Sequence, residues 1–111
     1  MNDRGWYGVD LDGTLARYDG WQGPEHIGVP VPRMLHRVLD WLNAGCEVRI
    51  VTARVSQDED GSVRRVIEAW CMEHLGRVIP ITNAKDYNMI ELWDDRAVQV
   101  VPNTGERVDG Q

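Results

Sequence analysis

Short apolar runs alternate with two stretches of helical periodicity along this chain, and this order constrains the fold more than any other feature. The first helical stretch carries apolar residues at the i, i+3, i+4, i+7 spacing of a single buried face, namely Val31, Met34, Leu35, Val38, Leu39 and Leu42. It starts at Pro32 and ends before Gly45, which suits a left-handed helix cap. The second stretch is predicted to run from Ser62, a suitable N-cap, to Gly76.

The apolar runs themselves are predicted strands, at residues 6–11, 48–51, 78–81, 89–93 and 97–101. Strands that alternate with helices build a parallel sheet, because each crossover helix carries the chain back to the end of the sheet where the previous strand began. The next strand then runs in the same direction. The predicted fold class is therefore α/β: a three-layer, Rossmann-like parallel sheet of about five strands with helices on both faces.

Length and composition indicate a single domain over residues 1–111. The 111 residues are 42% hydrophobic and 27% charged, which fits a globular core and excludes a fibrous repeat or a chain that is disordered throughout. Residues 16–31 form a short excursion, too small for a separate cap domain, and residues 102–111 are expected to be a polar, poorly ordered tail. No apolar run is long enough to span a membrane, so no membrane partner is expected.

Charge and cysteine usage narrow the expected partners and compartment. A net charge of −6 argues against a protein that coats nucleic acid, which rewards dense Lys and Arg. Cys46 and Cys71 lack metal-type spacing, and residues 1–5 lack the apolar segment of a signal peptide. Reduced thiols and a cytoplasmic location are expected.

Polar residues stand where the predicted strands end, which is where parallel sheets bind ligands. In chain order they are Asp10, Asp12, Thr52, Lys85, Asp94 and Asp95. Carboxylates that lie close together repel each other unless a cation or a shared proton relieves them, and Mg²⁺ prefers such oxygens. The sequence therefore predicts a Mg²⁺ site with a hydroxyl and an ammonium beside it. A solvated turn at Asp10–Asp12 and a strand-end hydroxyl at Thr52 that only bonds the backbone remain alternatives.

The string Asp10-Leu11-Asp12-Gly13-Thr14-Leu15 resembles the first motif, DxDGTL, of the haloacid dehalogenase superfamily of phosphohydrolases. Thr52, Lys85 and Asp94-Asp95 are similar to the second, third and fourth motifs, in the same order. The resemblance covers roughly residues 6–102. The chain also looks like small phage- or prophage-encoded members, and its Thr-Ala-Arg and Asp-Asp-Arg strings are similar to those of polynucleotide kinase phosphatase domains.

This resemblance implies roles for the acidic residues. Asp10 would be the nucleophile that forms an aspartyl-phosphate, and Asp12 would protonate the leaving alcohol and then activate water. Mg²⁺ would be held by Asp10, the backbone carbonyl of Asp12 and Asp95, with Asp94 as an outer partner.

The resemblance also assigns residues to the phosphoryl group and the substrate. Thr52 and Lys85 would bind the phosphoryl oxygens. Lys85 is the one lysine among 12 basic residues, and it lies too near the fourth strand for a full helix to intervene. The residues expected to bind substrate are Gly13, Thr14, Arg54 and Arg96. The two arginines would grip a second phosphate or pair with a site carboxylate.

The predicted function is a Mg²⁺-dependent phosphatase acting on a phosphomonoester. A small phosphorylated substrate such as a nucleotide is favoured over a nucleic-acid end, because the chain is acidic. Tyr18 and Trp21, close to the nucleophile, would stack on a base or pin their loop to the body. The site would be open, in a monomer or a homodimer. The alternative is a non-catalytic module that binds a phosphate, a nucleotide or a protein on the same fold.

Overall fold

The computed structural model describes residues 5–110. Its elements are β1 (Trp6–Val9), α1 (Pro32–Asn43), β2 (Glu47–Val51), a 3-10 helix (Ala53–Gln57), α2 (Ser62–Leu75), β3 (Ile81–Thr82) and β4 (Met89–Trp93). The strands form one four-stranded parallel sheet in the order β3-β2-β1-β4. At this level the α/β parallel-sheet prediction is confirmed. Two parts of the chain lie outside the described residues: residues 1–4, on which the signal-peptide prediction depends, and Gln111 of the predicted tail.

Both helices pack on the same face of the sheet. Val9 of β1 pairs with Ile50 of β2 in register, so the two side chains point to the same side. Both are fully buried in one core cluster with Val38 of α1 and Ile67 of α2. The expectation of helices on both faces is therefore not confirmed in the described residues.

A short connection, rather than a helix, runs along the opposite face. A Cβ atom on Gly8 would contact Trp6, Val51 and Leu92, which places these side chains on that face. There the indole N–H of Trp6 donates to Asp86 Oδ1 at 2.8 Å. Asp86 belongs to the segment between β3 and β4, residues 83–88, which is too short for the crossover helix that parallel strands usually require.

The predicted fifth strand is not confirmed either. Residues 97–101 join no ladder of the sheet, and Val100 instead forms an isolated antiparallel bridge with Arg107. Val108 N–H donates to the Gln99 carbonyl at 2.9 Å, and Val101 N–H donates to the Glu106 carbonyl at 2.8 Å. Residues 102–108 thus turn back in a hydrogen-bonded hairpin, and the expectation of a poorly ordered tail stays a prediction.

The start of α2 also differs from the prediction. Its N-cap is Gly61 rather than Ser62, and glycine has no side chain that could accept an N–H of the first turn. Asp58 instead accepts the N–H groups of Val63 and Arg64 at 3.2 and 3.0 Å, and so satisfies donors that a helix start leaves open.

Two further features concern the cysteines and the helices. Cys46 and Cys71 are both free, and Cys71 is buried. Within residues 5–110, neither helix has the length and apolar character that crossing a bilayer requires.

Candidate functional site

Three carboxylates meet at one edge of the sheet. Asp10 follows β1, and Asp94 and Asp95 follow β4. These strands are parallel neighbours, so their carboxyl ends lie side by side. One oxygen from each of the three side chains lies within 4.8 Å of the others. This acidic cluster, Asp10, Asp94 and Asp95, brings together three of the residues predicted from the sequence.

Asp10 lies beside the negative charges of the other two carboxylates of the acidic cluster. Partial burial, followed by the charge of Asp94 and a hydrogen bond with Asp95, raises the pKa of Asp10 to about 7. The backbone N–H of Leu11 opposes this rise without cancelling it. A divalent cation would remove the repulsion, and a set of carboxylate oxygens is the donor set that Mg²⁺ selects. The residues present therefore fit Mg²⁺.

Gly13 and Thr14 both lie against Asp95: Thr14 bonds it, and Gly13 leaves space for its carboxylate. The Thr14 hydroxyl accepts the N–H of Asp95 at 3.0 Å and lies 3.4 Å from an oxygen of each of Asp10 and Asp95. Gly13 has a φ of +88°, and a Cβ atom there would lie 2.5 Å from Asp95 Oδ2. Both residues, predicted to bind substrate, thus contact or accommodate a carboxylate of the cluster.

Asp12 lies outside the acidic cluster and is paired with Arg54. Its two carboxylate oxygens accept from Arg54 Nε at 2.7 Å and Nη2 at 2.8 Å. The same guanidinium donates to the carbonyls of His26 at 2.8 Å and Pro24 at 3.4 Å, and its side chain is only 6% exposed. Of the two roles left open for Arg54, the structure has the ion pair with a site carboxylate.

Thr52 stands at the end of β2, where it begins the 3-10 helix. It is buried, and its hydroxyl oxygen accepts the N–H of Arg54 at 3.1 Å. This is the strand-end contact considered as an alternative, but it uses the oxygen only as an acceptor. The hydroxyl hydrogen remains a donor for a group in the cavity that Thr52 lines.

Lys85 is exposed and does not line the cavity beside the acidic cluster. Within residues 5–110, no hydrogen bond or ion pair joins its ammonium to Asp10, Asp94 or Asp95. The connection that carries Lys85 turns from the end of β3 onto the opposite face of the sheet, where Asp86 meets Trp6. Its predicted role at the phosphoryl group stays a prediction.

Arg96 does reach the cavity. It is one of the residues that line the wall, and its backbone N–H donates to Asp94 Oδ1 at 2.7 Å. No ion pair engages its guanidinium within residues 5–110, so its charge is available to a ligand. Arg96 is therefore a basic residue at the cavity that Lys85 does not line.

The cavity has a volume of about 720 Å³. Its walls carry acidic, basic and aromatic residues together with two small polar residues that were not predicted from the sequence. These are Ser56, in the 3-10 helix, and Asn83, which follows β3. The position of Asn83 just beyond a strand is the signal that would have identified it; Ser56 carried none.

Comparisons with known proteins bear on the fold. No protein-family model and no curated protein matches this chain. The chain is similar to a solved structure described as that of a conserved protein coded by a locus from Bacteroides thetaiotaomicron, with a TM-score of 0.62 and 17% sequence identity. The match covers 88% of this chain and 81% of the other. At that identity the likeness shows the α/β fold alone.

Proposed function

We propose that this chain is a Mg²⁺-dependent phosphohydrolase of the haloacid dehalogenase type, which cleaves a phosphomonoester through an aspartyl-phosphate. The observation that carries the proposal is the acidic cluster, which opens onto a cavity of about 720 Å³. Such a cavity lies in the size range of small-molecule sites.

Asp10 acts as the nucleophile in this proposal. One of its oxygens forms a bond to phosphorus as the bond between phosphorus and the ester oxygen breaks, and the carboxyl group of Asp12 gives the leaving ester oxygen a proton. A water molecule then passes a proton to Asp12 and attacks the phosphorus of the aspartyl-phosphate. The acyl-phosphate bond breaks and inorganic phosphate leaves, so Asp10 is again a carboxylate and Asp12 is again a carboxyl group.

Other residues assist through charge and hydrogen bonding. Bound to the acidic cluster, Mg²⁺ would offset the charge on the phosphoryl oxygens. The Thr52 hydroxyl donates to one of these oxygens, and the Arg96 guanidinium supplies a positive charge.

The proposal requires one oxygen of Asp12 to part from Arg54 when the proton moves. The guanidinium retains the carbonyls of Pro24 and His26 as acceptors, so it stays in place when that contact opens. Arg54 is thus a positioning residue that holds Asp12 between the two steps.

The test is hydrolysis of p-nitrophenyl phosphate with and without Mg²⁺. The wild-type chain should release nitrophenol only with the metal, and Asp10→Asn should abolish this release while keeping the circular dichroism spectrum. Asp19→Asn is the matched control, because Asp19 is exposed and pairs with Arg17 outside the acidic cluster. Equal rates in wild type and Asp10→Asn would contradict the proposal.

A non-catalytic binding module is the second candidate. The closed ion pair of Asp12 with Arg54 and the exposed position of Lys85 favour it. Such a module would bind Mg²⁺ and a phosphorylated ligand without releasing phosphate from any member of a nucleotide panel.

A further inference from the structure

Trp21 presents an exposed indole ring at the wall of the cavity that contains Asp10. The side chain is 60% exposed and belongs neither to the buried core nor to the residues packed against it. One face of the ring lies against Arg54, with the guanidinium carbon 4.9 Å from the ring centroid. The ring therefore adds little to the stability of the core, although it occupies a fixed place at the site.

Arg54 contacts both the Trp21 ring and the Asp12 carboxylate, which follows β1. The same guanidinium holds the Asp12 carboxylate and the carbonyls of Pro24 and His26, on the loop that carries Trp21. A ring that is already held loses little conformational freedom when a ligand stacks on it. Trp21 thus provides a preorganised flat surface.

The rest of the cavity suits a ligand with a planar ring. Tyr18, 46% exposed, is a second aromatic residue on the wall. Ser56 and Asn83 add hydrogen-bonding groups that can meet the polar edge of a heterocycle.

We infer that this site selects phosphomonoesters whose alcohol carries a planar heterocycle, as in a nucleoside monophosphate, and that the heterocycle stacks on Trp21. This inference rests on the proposed function for the placement of the phosphate at the acidic cluster. It adds that the ring, rather than the sugar, determines which ester binds.

The experiment compares adenosine and uridine 5′-monophosphates with ribose 5-phosphate, which has the same phosphate and sugar but no base. Binding is measured by calorimetry with Mg²⁺ on the Asp10→Asn chain, which cannot form the aspartyl-phosphate. The quantity compared is the ratio of nucleotide affinity to ribose 5-phosphate affinity. Any loss of phosphate affinity in that variant affects both ligands and therefore cancels in this ratio. At least one nucleotide should bind more tightly than ribose 5-phosphate, and adding Trp21→Ala should reduce the ratio by about 5-fold to 150-fold.

Matched variants separate stacking from damage to the loop. Trp21→Phe keeps a flat ring and should retain most of the ratio. Tyr87→Ala removes an exposed aromatic side chain outside the cavity and should leave the ratio unchanged.

The possible outcomes distinguish this inference from the proposed function. Three results would overturn the inference: neither nucleotide binds, neither nucleotide binds more tightly than ribose 5-phosphate, or the ratio of affinities does not respond to Trp21→Ala. If wild type hydrolyses esters without any preference for a base, only the inference fails. If the ratio depends on Trp21 but wild type releases no phosphate, the ring site stands and the phosphatase proposal fails.

Discussion

The hydroxyl of Thr14 accepts a hydrogen bond from the backbone N–H of Asp95 at 3.0 Å. This contact joins the turn after β1 to the turn after β4 across a separation of 81 residues. The same hydroxyl also lies within 3.4 Å of Asp10. One short side chain therefore fixes the relative positions of the proposed nucleophile and a proposed metal ligand.

Replacing Thr14 should weaken metal binding. Thr14→Val keeps the shape but removes the acceptor for the N–H of Asp95, which is a loss of about 1 kcal/mol, or about 5-fold in Mg²⁺ affinity. Calorimetric titration with Mg²⁺ measures the change. Thr14→Ser retains the hydroxyl and should restore the affinity; equal affinity in the Val and Ser variants would count against the role of this contact.

Gly13→Ala should disturb Asp95 directly. The new Cβ atom would lie 2.5 Å from Asp95 Oδ2, so the carboxylate must move and Mg²⁺ affinity should fall. The control is Gly76→Ala at the end of α2, where φ is +77° and no atom lies within 4 Å of the new Cβ. Both variants should lose about 1–2 kcal/mol of stability from the left-handed backbone. Only Gly13→Ala should lose metal affinity, and retention of full affinity by that variant would contradict the geometry.

Arg54→Met should destabilise the chain through Asp12. The substitution leaves a largely buried carboxylate and two carbonyls without their donor, at a cost of about 2–4 kcal/mol in the free energy of unfolding. Arg17→Met breaks an exposed ion pair with Asp19 and should cost less than about 1 kcal/mol. Urea denaturation of both variants measures the difference. Equal losses would mean that the Asp12–Arg54 pair behaves as a surface pair.

Without divalent cations, stability should fall as the pH rises. Burial and the charge of Asp94 raise the pKa of Asp10 from its ordinary value of 3.8 to about 7 in the folded chain, so folding favours the protonated carboxyl group. The folded state carries no penalty below pH 3.8, loses stability as the pH rises from 3.8 to about 7, and has its full loss above 7. Because Asp10 is only partly buried, solvent screening limits this loss to about 1–3 kcal/mol. Urea denaturation in EDTA across this range measures the slope.

Two comparisons isolate the contribution of Asp10 to that slope. Asp10→Asn should flatten the pH profile, because the amide does not titrate. Mg²⁺ should restore stability to wild type above pH 7, since it binds the ionised carboxylates of the folded state. Identical profiles for wild type and Asp10→Asn would show that the titration belongs to other groups.

The sequence predicted the helices and most strands because their signals are local. The apolar spacing from Val31 to Leu42 matches α1, and Gly76 caps α2 as expected. The run at residues 97–101 resembles a strand equally well, but the turn around Asn103, with a φ of 69°, pairs it with the segment that follows. Local pattern does not specify the pairing partner.

The site was predictable to the extent that it depends on the ends of strands. Asp10 and Asp95 follow adjacent parallel strands, and adjacency brought them together. The partners of Asp12 and Lys85 depend on loops instead. Arg54 reaches Asp12 because the excursion folds over it, and Lys85 lies on a connection that turns to the opposite face. Loop paths of this kind carry no periodic signal.

The most direct measurement of the central claim is the mass of the intact chain after rapid acid quenching during turnover of p-nitrophenyl phosphate with Mg²⁺. The account predicts a fraction carrying one added phosphoryl group, located on Asp10 by peptide mapping, absent from Asp10→Asn and lost on treatment with hydroxylamine. Steady release of phosphate with no phosphorylated chain at any quench time, or a phosphoryl group that persists in Asp10→Asn, would contradict it.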